Sequence, residues 1–455
     1  FAAMLLSKTM GFTLPLVMLV MDVYPLGRFP RESLRRLLLE KIPFIALMIA
    51  STFMIRISVE KADAFYSRAE YPLIQSLSQP GFRLCFYIGK TLLPFHLSPL
   101  YWFRPQVGWP QALGWMALLG LGAILVAQRR RHPAALATFL CFGLLIAPTS
   151  GIVQVGPQFA ADRYTYVPCL PFAALASGCW LLLSERTSRR IAVGAGTALL
   201  AVLGVLTFRQ CGIWKDSVSL WTRAIDLEPD VYFTRDRRGQ AFVARQEWDR
   251  ALADFDVSIQ LNGGWFESWT HRARARLLAK NPAGAIEDAT RALELRPDLG
   301  DAFQTRGLAN GQLGRGREAI ADFSSALRWR PEFVEARVHR ATELAKLGEL
   351  AQARSDLDAA LSLDPEPQLY VRRATLRALQ KDLEGAIADC TEAVRLKPDY
   401  ADAYVSRGVA RLERGDPDSA GEDFSRALRT APATWAPRRQ VEELLRQARS
   451  APQKQ

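Results

Sequence analysis

Apolar positions along this chain change period near residue 208. Before it, Leu, Ala, Ile, Val, Phe and Gly run together in stretches of membrane-crossing length, at about 12–24, 42–57, 110–127, 134–151, 167–183 and 191–208. Beyond it, apolar residues recur every three or four positions among Arg, Asp and Glu, the mark of amphipathic helices. The pattern predicts an all-α protein: a polytopic helical membrane domain over 1–208, a helical solenoid over 209–434, and a capping helix and tail over 435–455.

The solenoid is legible as an internal repeat. Pro229, Pro297, Pro331, Pro365, Pro398 and Pro432 fall at multiples of 34 residues with one single-residue deletion, and Gly263 fills the vacant place. Small residues recur in step at Gly239, Ala273, Gly307, Ala341, Ala374 and Gly408, and at Ala251, Ala285, Ala319, Ala353, Ala386 and Ala420. Small side chains let two helices approach closely, and the proline ends the second helix. The period and these positions resemble the tetratricopeptide repeat, a helix-turn-helix unit that stacks into a solenoid. Six copies fit between about 232 and 434, a half repeat at 214–229 precedes them, and PRRQVEELLRQARS (437–450) reads as the polar cap.

A second register runs through the repeats. Arg238, Arg272, Arg306, Arg340, Arg373 and Arg407 each precede an aspartate by 16 residues: Asp254, Asp288, Asp322, Asp356, Asp389 and Asp423. The midpoint of each pair falls in the turn, as at Gly314 and Gly348, so the partners are expected to meet across a hairpin or between neighbouring hairpins. They form either a polar track for a ligand or, the favoured reading, a ladder that fixes register, each partly exposed pair contributing at most about 1 kcal/mol. Repeats of this kind bind proteins or peptides on the concave face. The Lys/Asn clamp some use for C-terminal carboxylates is missing, since the comparable places hold Asp236, Thr270, Gln304, Val338, Val371 and Val405.

The net charge of +12 does not signal nucleic acid, because many basic residues sit in short loops between apolar spans, where orientation explains them, and no basic segment is interleaved with aromatics. Arg28, Arg31, Arg35, Arg36 and Lys41, then Arg129 to Arg131, then Arg186, Arg189 and Arg190 are all cytoplasmic under the positive-inside bias. That parity holds only if 81–97 does not cross, so it is read as an interfacial or re-entrant helix with Arg83 and Lys90 at headgroup level. Residues 58–109, the loop 152–166 and the solenoid then lie outside the membrane, in the periplasm of a bacterium. The six cysteines include no CxxC pair and the four histidines are scattered, which leaves disulfide, zinc and Ser-His chemistry without support. No acid or histidine sits at mid-span for a proton relay, which argues against a transporter. The chain opens at Phe1 inside an apolar segment and is expected to be the later part of a longer one.

The loop VGPQFAADRYTYVP (155–168) is flanked by apolar runs yet carries Gln158, the adjacent Asp162 and Arg163, and two tyrosines, Tyr164 and Tyr166. With Lys8 and Lys90 on the same face, Arg163 would place a third cation at the outer headgroup level, able to hold the phosphate of a lipid-linked donor. Gln158, Asp162 and Tyr164 join them as donor-site candidates, Asp162 orienting the arginine or serving an acceptor. The plainer reading is snorkelling lysines, an Asp162–Arg163 pair and an aromatic belt at Tyr164 and Tyr166.

KTMGFTLPLVMLVMDVYPLGR (8–28), GKTLLP (89–94) and VGPQFAADRYTYVP, followed by WKDSVSLW at the entry to the repeats, resemble the transmembrane and tetratricopeptide repeat-containing proteins and their bacterial relatives. The resemblance implies a GT-C-like glycosyltransferase that moves a sugar from a polyprenyl-phosphate carrier to an extracytoplasmic acceptor; eukaryotic members O-mannosylate proteins. It also implies that Asp162, Arg163 and Tyr164 belong to the donor side. The family's catalytic acid lies in a first outer loop with no counterpart here: Asp22 is at the wrong end of its span and Asp63 matches no motif. The catalytic residues are therefore unknown, and enzymes of this class work with a divalent ion or without one. The first expectation is a membrane glycosyltransferase-like protein whose solenoid binds an acceptor or partner protein. The alternative is a membrane-anchored scaffold without chemistry.

Overall fold

The computed structural model describes residues 13–29, 31–61, 72–102, 108–151, 158–432 and 434–450. Lys8 and Asp63 lie outside the described residues. The chain forms two compact units, 1–234 and 235–455.

In the first unit each apolar stretch is a helix: α1 (Leu14–Val23), α2 (Leu34–Leu39), α3 (Ile42–Lys61), α4 (Leu73–Leu92), α5 (Trp109–Ala127), α6 (Pro133–Ile146), α7 (Cys169–Arg186), α8 (Arg189–Ile213) and α9 (Ser217–Leu227). Prolines open α5 and α6, where a missing N–H costs nothing. Val17 on α1 and Cys141 and Leu145 on α6 form one buried cluster. Among the described residues only α5 and α8 are long and apolar enough to cross a membrane; α1 and α6 are apolar but shorter. Helices thus occupy the six expected positions, but among the described residues length and apolarity admit only two of them as membrane spans, so a polytopic domain is not established.

Helix α4 begins earlier than the 81–97 segment read from sequence and packs along α5 at a glycine crossing. A Cβ on Gly114 would lie 2.7 Å from the Phe82 backbone, and one on Gly81 would lie 2.6 Å from the Trp115 ring. Pro80 loosens the turn of α4 before it, and the Leu77 carbonyl there accepts from Trp115 Nε1 at 2.9 Å. This packing corrects the headgroup reading of Arg83. It is 3% exposed, its guanidinium lying where a Cβ on Gly151 would be, 2.6 Å away, with φ +89° at that glycine. Two charges of the first basic loop are also not free. Lys41, 3% exposed, pairs with buried Asp22 at 2.8 Å, and Arg28 meets Asp22 at 3.0 Å, Glu32 at 2.9 Å and Glu40 at 2.9 Å.

The all-α class has one local exception. β1 (Tyr101–Trp102) pairs antiparallel with β2 (Gln158–Ala160), Tyr101 opposite Ala160 and Trp102 opposite Gln158. The unit boundary also falls later than residue 208. Trp102 meets Tyr232 edge-on at 5.0 Å and Phe233 at 5.8 Å, so the half repeat and the first residues of the next helix belong to the first unit.

The second unit continues α10 (Tyr232–Ala244) with α11 (Trp248–Leu261), α12 (Phe266–Leu278), α13 (Pro282–Leu295), α14 (Gly300–Gln312), α15 (Gly316–Trp329), α16 (Val334–Lys346), α17 (Leu350–Leu363), α18 (Pro367–Leu379), α19 (Leu383–Leu396), α20 (Ala401–Arg414), α21 (Pro417–Thr430) and the cap α22 (Arg438–Ser450). Each hairpin turns through a left-handed residue: Gln246, Lys280, Gly314, Gly348, Lys381 and Gly415, with φ between 61° and 89°. Within hairpins, volume is matched at a fixed pair of positions. Gly239, Gly307 and Gly408 face Phe255, Phe323 and Phe424, and a Cβ on any of them would come within 2.6–2.8 Å of the ring. Where the small residue is alanine, as at Ala341 and Ala374, the partner clusters contain Leu357 and Cys390 instead. Val441 and Ala448 of α22 close the last repeat against Phe424 and Ala427.

Candidate functional site

In the first unit Lys90 and Asp162 converge on Tyr101, with Arg163 and Tyr164 beside Asp162 in the chain. Strand pairing brings 158–162 beside 98–102. There Asp162, 5% exposed, accepts from the Ser98 N–H and lies 3.2 Å from the Tyr101 hydroxyl. Burial pushes the Asp162 carboxyl up to about 6, against the opposing pull of the Ser98 and Tyr101 hydrogen bonds and of Lys90. Lys90 sits 5.3 Å from the Tyr101 ring centre, but its ammonium donates to the Phe95 and His96 carbonyls at 2.8 and 3.1 Å. Burial lowers its pKa. Arg163 lies over the Tyr164 ring at 5.1 Å and reaches the Pro99 carbonyl at 3.4 Å. Tyr87, fully buried beneath, accepts from the Ala161 N–H at 3.2 Å. The structure therefore brings together Lys90, Asp162, Arg163 and Tyr164, with the Gln158 backbone at the edge of the cluster. Tyr87, Ser98 and Tyr101, which hold that loop, were missed in the sequence; a tyrosine inside an apolar run was their only signal. Among the described residues no group of three or more metal-ligating side chains converges.

In the second unit the ladder is continuous. Arg238, Arg272, Arg306, Arg340, Arg373 and Arg407 each grip the aspartate 16 residues on through Nε and Nη2, with Nη2 distances of 2.6–2.7 Å. From the second rung onward, Nη1 reaches the second helix of the preceding repeat: Asp256 at 2.6 Å, Thr290 at 3.2 Å, Ser324 at 2.9 Å, Asp358 at 2.7 Å and Thr391 at 3.2 Å. Each arginine thus ties its own hairpin and staples it to the one before. The aspartates are 2–5% exposed, more buried than the sequence pattern suggested, so removing one partner strands a desolvated charge.

The first helices of successive repeats line a groove, and between α12, α14 and α16 a cavity of about 580 Å³ opens. Its walls include Phe266, Leu299 and Phe333, and its polar lining includes Glu267, Arg274 and Gln304. At one end Asp236, 1% exposed, gathers the Ser268 hydroxyl at 3.0 Å, His271 Nδ1 at 2.8 Å and Gln240 Nε2 at 2.7 Å. Ser268 bonds the carboxylate and not the imidazole, so this is a brace and not a nucleophile relay.

Residues 305–365, 338–401 and 391–433 match the tetratricopeptide repeat family model. These residues of the second unit carry tetratricopeptide repeats, and the hairpins before them have the same helix-turn-helix form. The chain is similar to RNA polymerase II-associated protein 3 of Xenopus laevis, 30% identical over 86 residues, 19% of this chain and 13% of that protein. It is also similar to Hsc70-interacting protein 1 of Drosophila melanogaster, 31% identical over 82 residues, 18% and 22% of the two chains. Among solved structures, MamA from Desulfovibrio magneticus RS-1 is 19% identical with a TM-score of 0.35, covering 36% of this chain and 94% of that one. The chain spans less than a quarter of the lengths of these curated relatives.

Proposed function

We propose that this protein is a membrane-anchored tetratricopeptide scaffold whose groove holds a protein or peptide partner. The observation that carries the binding role is the groove itself: the repeats present their first helices side by side, and the cavity between α12, α14 and α16 keeps charged groups beside apolar walls. Anchoring rests on α8. Ile191, Leu200, Val202 and Phe208 are 57–81% exposed on a 25-residue apolar helix, an apolar surface that water does not tolerate and lipid does. A photo-crosslinker at Gln304 in full-length protein should trap partners, whereas one at Glu287, on the second helix α13, should not; equal capture at both would sink the groove reading. Impermeant labelling of single cysteines placed at Gln158 and Glu349 tests the periplasmic location, and access only from the cytoplasm would refute it.

The second reading, a GT-C-like transferase using a polyprenyl-phosphate sugar, is favoured by the gathering of Lys90, Asp162, Arg163 and Tyr164 around Tyr101. In it an acceptor hydroxyl attacks the anomeric carbon, a carboxylate takes its proton, and the bond from that carbon to the phosphate oxygen breaks with Arg163 stabilising the leaving phosphate. Arg163→Gln should then abolish sugar transfer while leaving Gln304 crosslinks intact. Full transfer by that variant would eliminate the assigned role.

A further inference from the structure

The turn between α1 and α3 sorts its charges into two sets. From Asp22 to Lys41 the chain carries three acids, Asp22, Glu32 and Glu40, and five bases, Arg28, Arg31, Arg35, Arg36 and Lys41. Three of the bases face the acids. Lys41 and Arg28 close on Asp22 at 2.8 and 3.0 Å, and Arg28 also holds Glu32 and Glu40 at 2.9 Å each. Arg36 lies 3.5 and 3.7 Å from the same two glutamates. The acids are thereby used up inside the turn. Arg31 and Arg35 are exposed, and neither guanidinium is ion-paired among the described residues.

The same edge is apolar. Helix α2 buries Leu37 and turns Leu34, Leu38 and Leu39 outward, 56%, 44% and 52% exposed. At 3.6 residues per turn Arg35 falls between Leu38 and Leu39 on that outward side. Leu26 and Phe29 before α2, and Ile42, Ile49 and Phe53 on α3 after it, extend the uncovered apolar surface in both directions. Unpaired guanidinium forks set among exposed leucines match a surface that is anionic above and hydrocarbon beneath. Phosphate oxygens accept from the forks, and the leucines leave water. At six residues α2 is far too short to cross a bilayer, so the orientation that serves both groups is in its plane.

Resting on the membrane-anchored reading, we infer that α2 docks on an anionic lipid surface, Arg31 and Arg35 holding headgroup phosphates while Leu34, Leu38 and Leu39 enter the acyl boundary. The charge balance selects the lipid. With every acid of the turn engaged, two positive charges remain at the edge; a zwitterionic headgroup brings its own cation and leaves them uncompensated, whereas an anionic one neutralises them. Arg28, Arg36 and Lys41 hold the turn in shape and are spent there, so the basic loop divides into bases that fold the chain and bases that meet the membrane.

The test uses the full chain in nanodiscs of phosphatidylcholine with phosphatidylglycerol as the minor lipid, both with the same acyl chains. A benzophenone photo-crosslinker stands at Leu38 or, for reference, at Leu200 of α8, which is 70% exposed, and mass spectrometry identifies the adducts. Leu38 should give lipid adducts with phosphatidylglycerol enriched at least about threefold over its share of the disc, and Leu200 should give the bulk ratio. Arg31→Gln with Arg35→Gln should return the Leu38 adducts to the bulk ratio, while Arg31→Lys with Arg35→Lys should keep most of the enrichment, because the surface reads charge. Both double variants change exposed side chains and leave the Asp22 network in place. Bulk-ratio adducts at Leu38 in the unaltered chain, or enrichment that survives the glutamine pair, would overturn the anionic assignment. If Leu38 captures protein and no lipid while Leu200 still captures lipid, the docking is wrong and the anchor stands. If neither position captures lipid, the membrane-anchored reading falls with it.

Discussion

The volume match inside the hairpins can be tested by exchanging one repeat's solution for another's. In α14 and α15, Gly307 faces Phe323, which is 1% exposed, and an added Cβ would sit 2.8 Å from the ring. The ring cannot retreat, so Gly307→Ala brings an overpacking cost of about 1–3 kcal/mol. Against this, alanine gains about 1 kcal/mol of helix propensity over glycine. The expected net effect is a loss of about 1 kcal/mol. Phe323→Leu alone removes buried ring and leaves a gap, costing about 1–2 kcal/mol. The double variant recreates the Ala341 and Leu357 arrangement, both 2% exposed two helices away. In the Phe323→Leu background the same Gly307→Ala change should therefore stabilise, by up to about 1 kcal/mol, as propensity and gap filling now act together. The coupling is about 2 kcal/mol and reverses the sign of the substitution. Amide hydrogen exchange of α14 and α15 in the full-length protein reads it directly, about tenfold in rate per 1.4 kcal/mol, with α20 and α21 as an internal reference. Additivity within about 0.5 kcal/mol would refute the claim that these positions are matched by volume.

The ladder should be uneven. Asp322 is bonded by Arg306 and by Asn310 at 3.1 Å, so Arg306→Met should cost about 3 kcal/mol or more. Asp423 keeps Arg411 at 2.8 Å, so Arg407→Met should cost clearly less by the same exchange measurement, and equal losses would argue against stranded charge as the cause. Lys280 adopts φ +62° at the turn where three other repeats place glycine, so Lys280→Gly should stabilise α12 and α13 by about 0.5–1 kcal/mol; a loss in thermal melts would mean that its side chain matters more than the strain. The pH response of the first unit follows from Asp162. A carboxyl raised by burial from 3.8 to about 6 holds its proton more tightly folded than unfolded, so its contribution is present below pH about 4 and is lost as pH rises through 6, about 3 kcal/mol in all. Asp162→Asn should flatten that component of tryptophan-fluorescence melts between pH 4.5 and 7, and an unchanged pH slope would contradict it.

Periodicity alone was enough for the helices. The 34-residue spacing of Pro229, Pro297, Pro331, Pro365, Pro398 and Pro432 marks repeat ends, and the Arg238 to Asp254 spacing states which residues oppose one another, because both are properties of a helix-turn-helix read along the chain. The gathering of Lys90, Asp162 and Arg163 was legible only as a guess about shared depth. The partners that hold it, Ser98 and Tyr101, arrive through a strand pairing of two and three residues, too short for any alternation to announce.

The local grammar is written along the chain: helix, turn, small residue, proline, and the charge pairs that each hairpin must close. Tertiary structure alone decided what those groups face. Arg83 is buried at Gly151 because α4 crosses α5 at Gly81 and Gly114, and Glu267 has a shielded, unpartnered oxygen because α12, α14 and α16 enclose a cavity. Period along a chain specifies which face of a helix a residue occupies, whereas burial and charge balance depend on which other faces meet it, and those come from elsewhere in the chain.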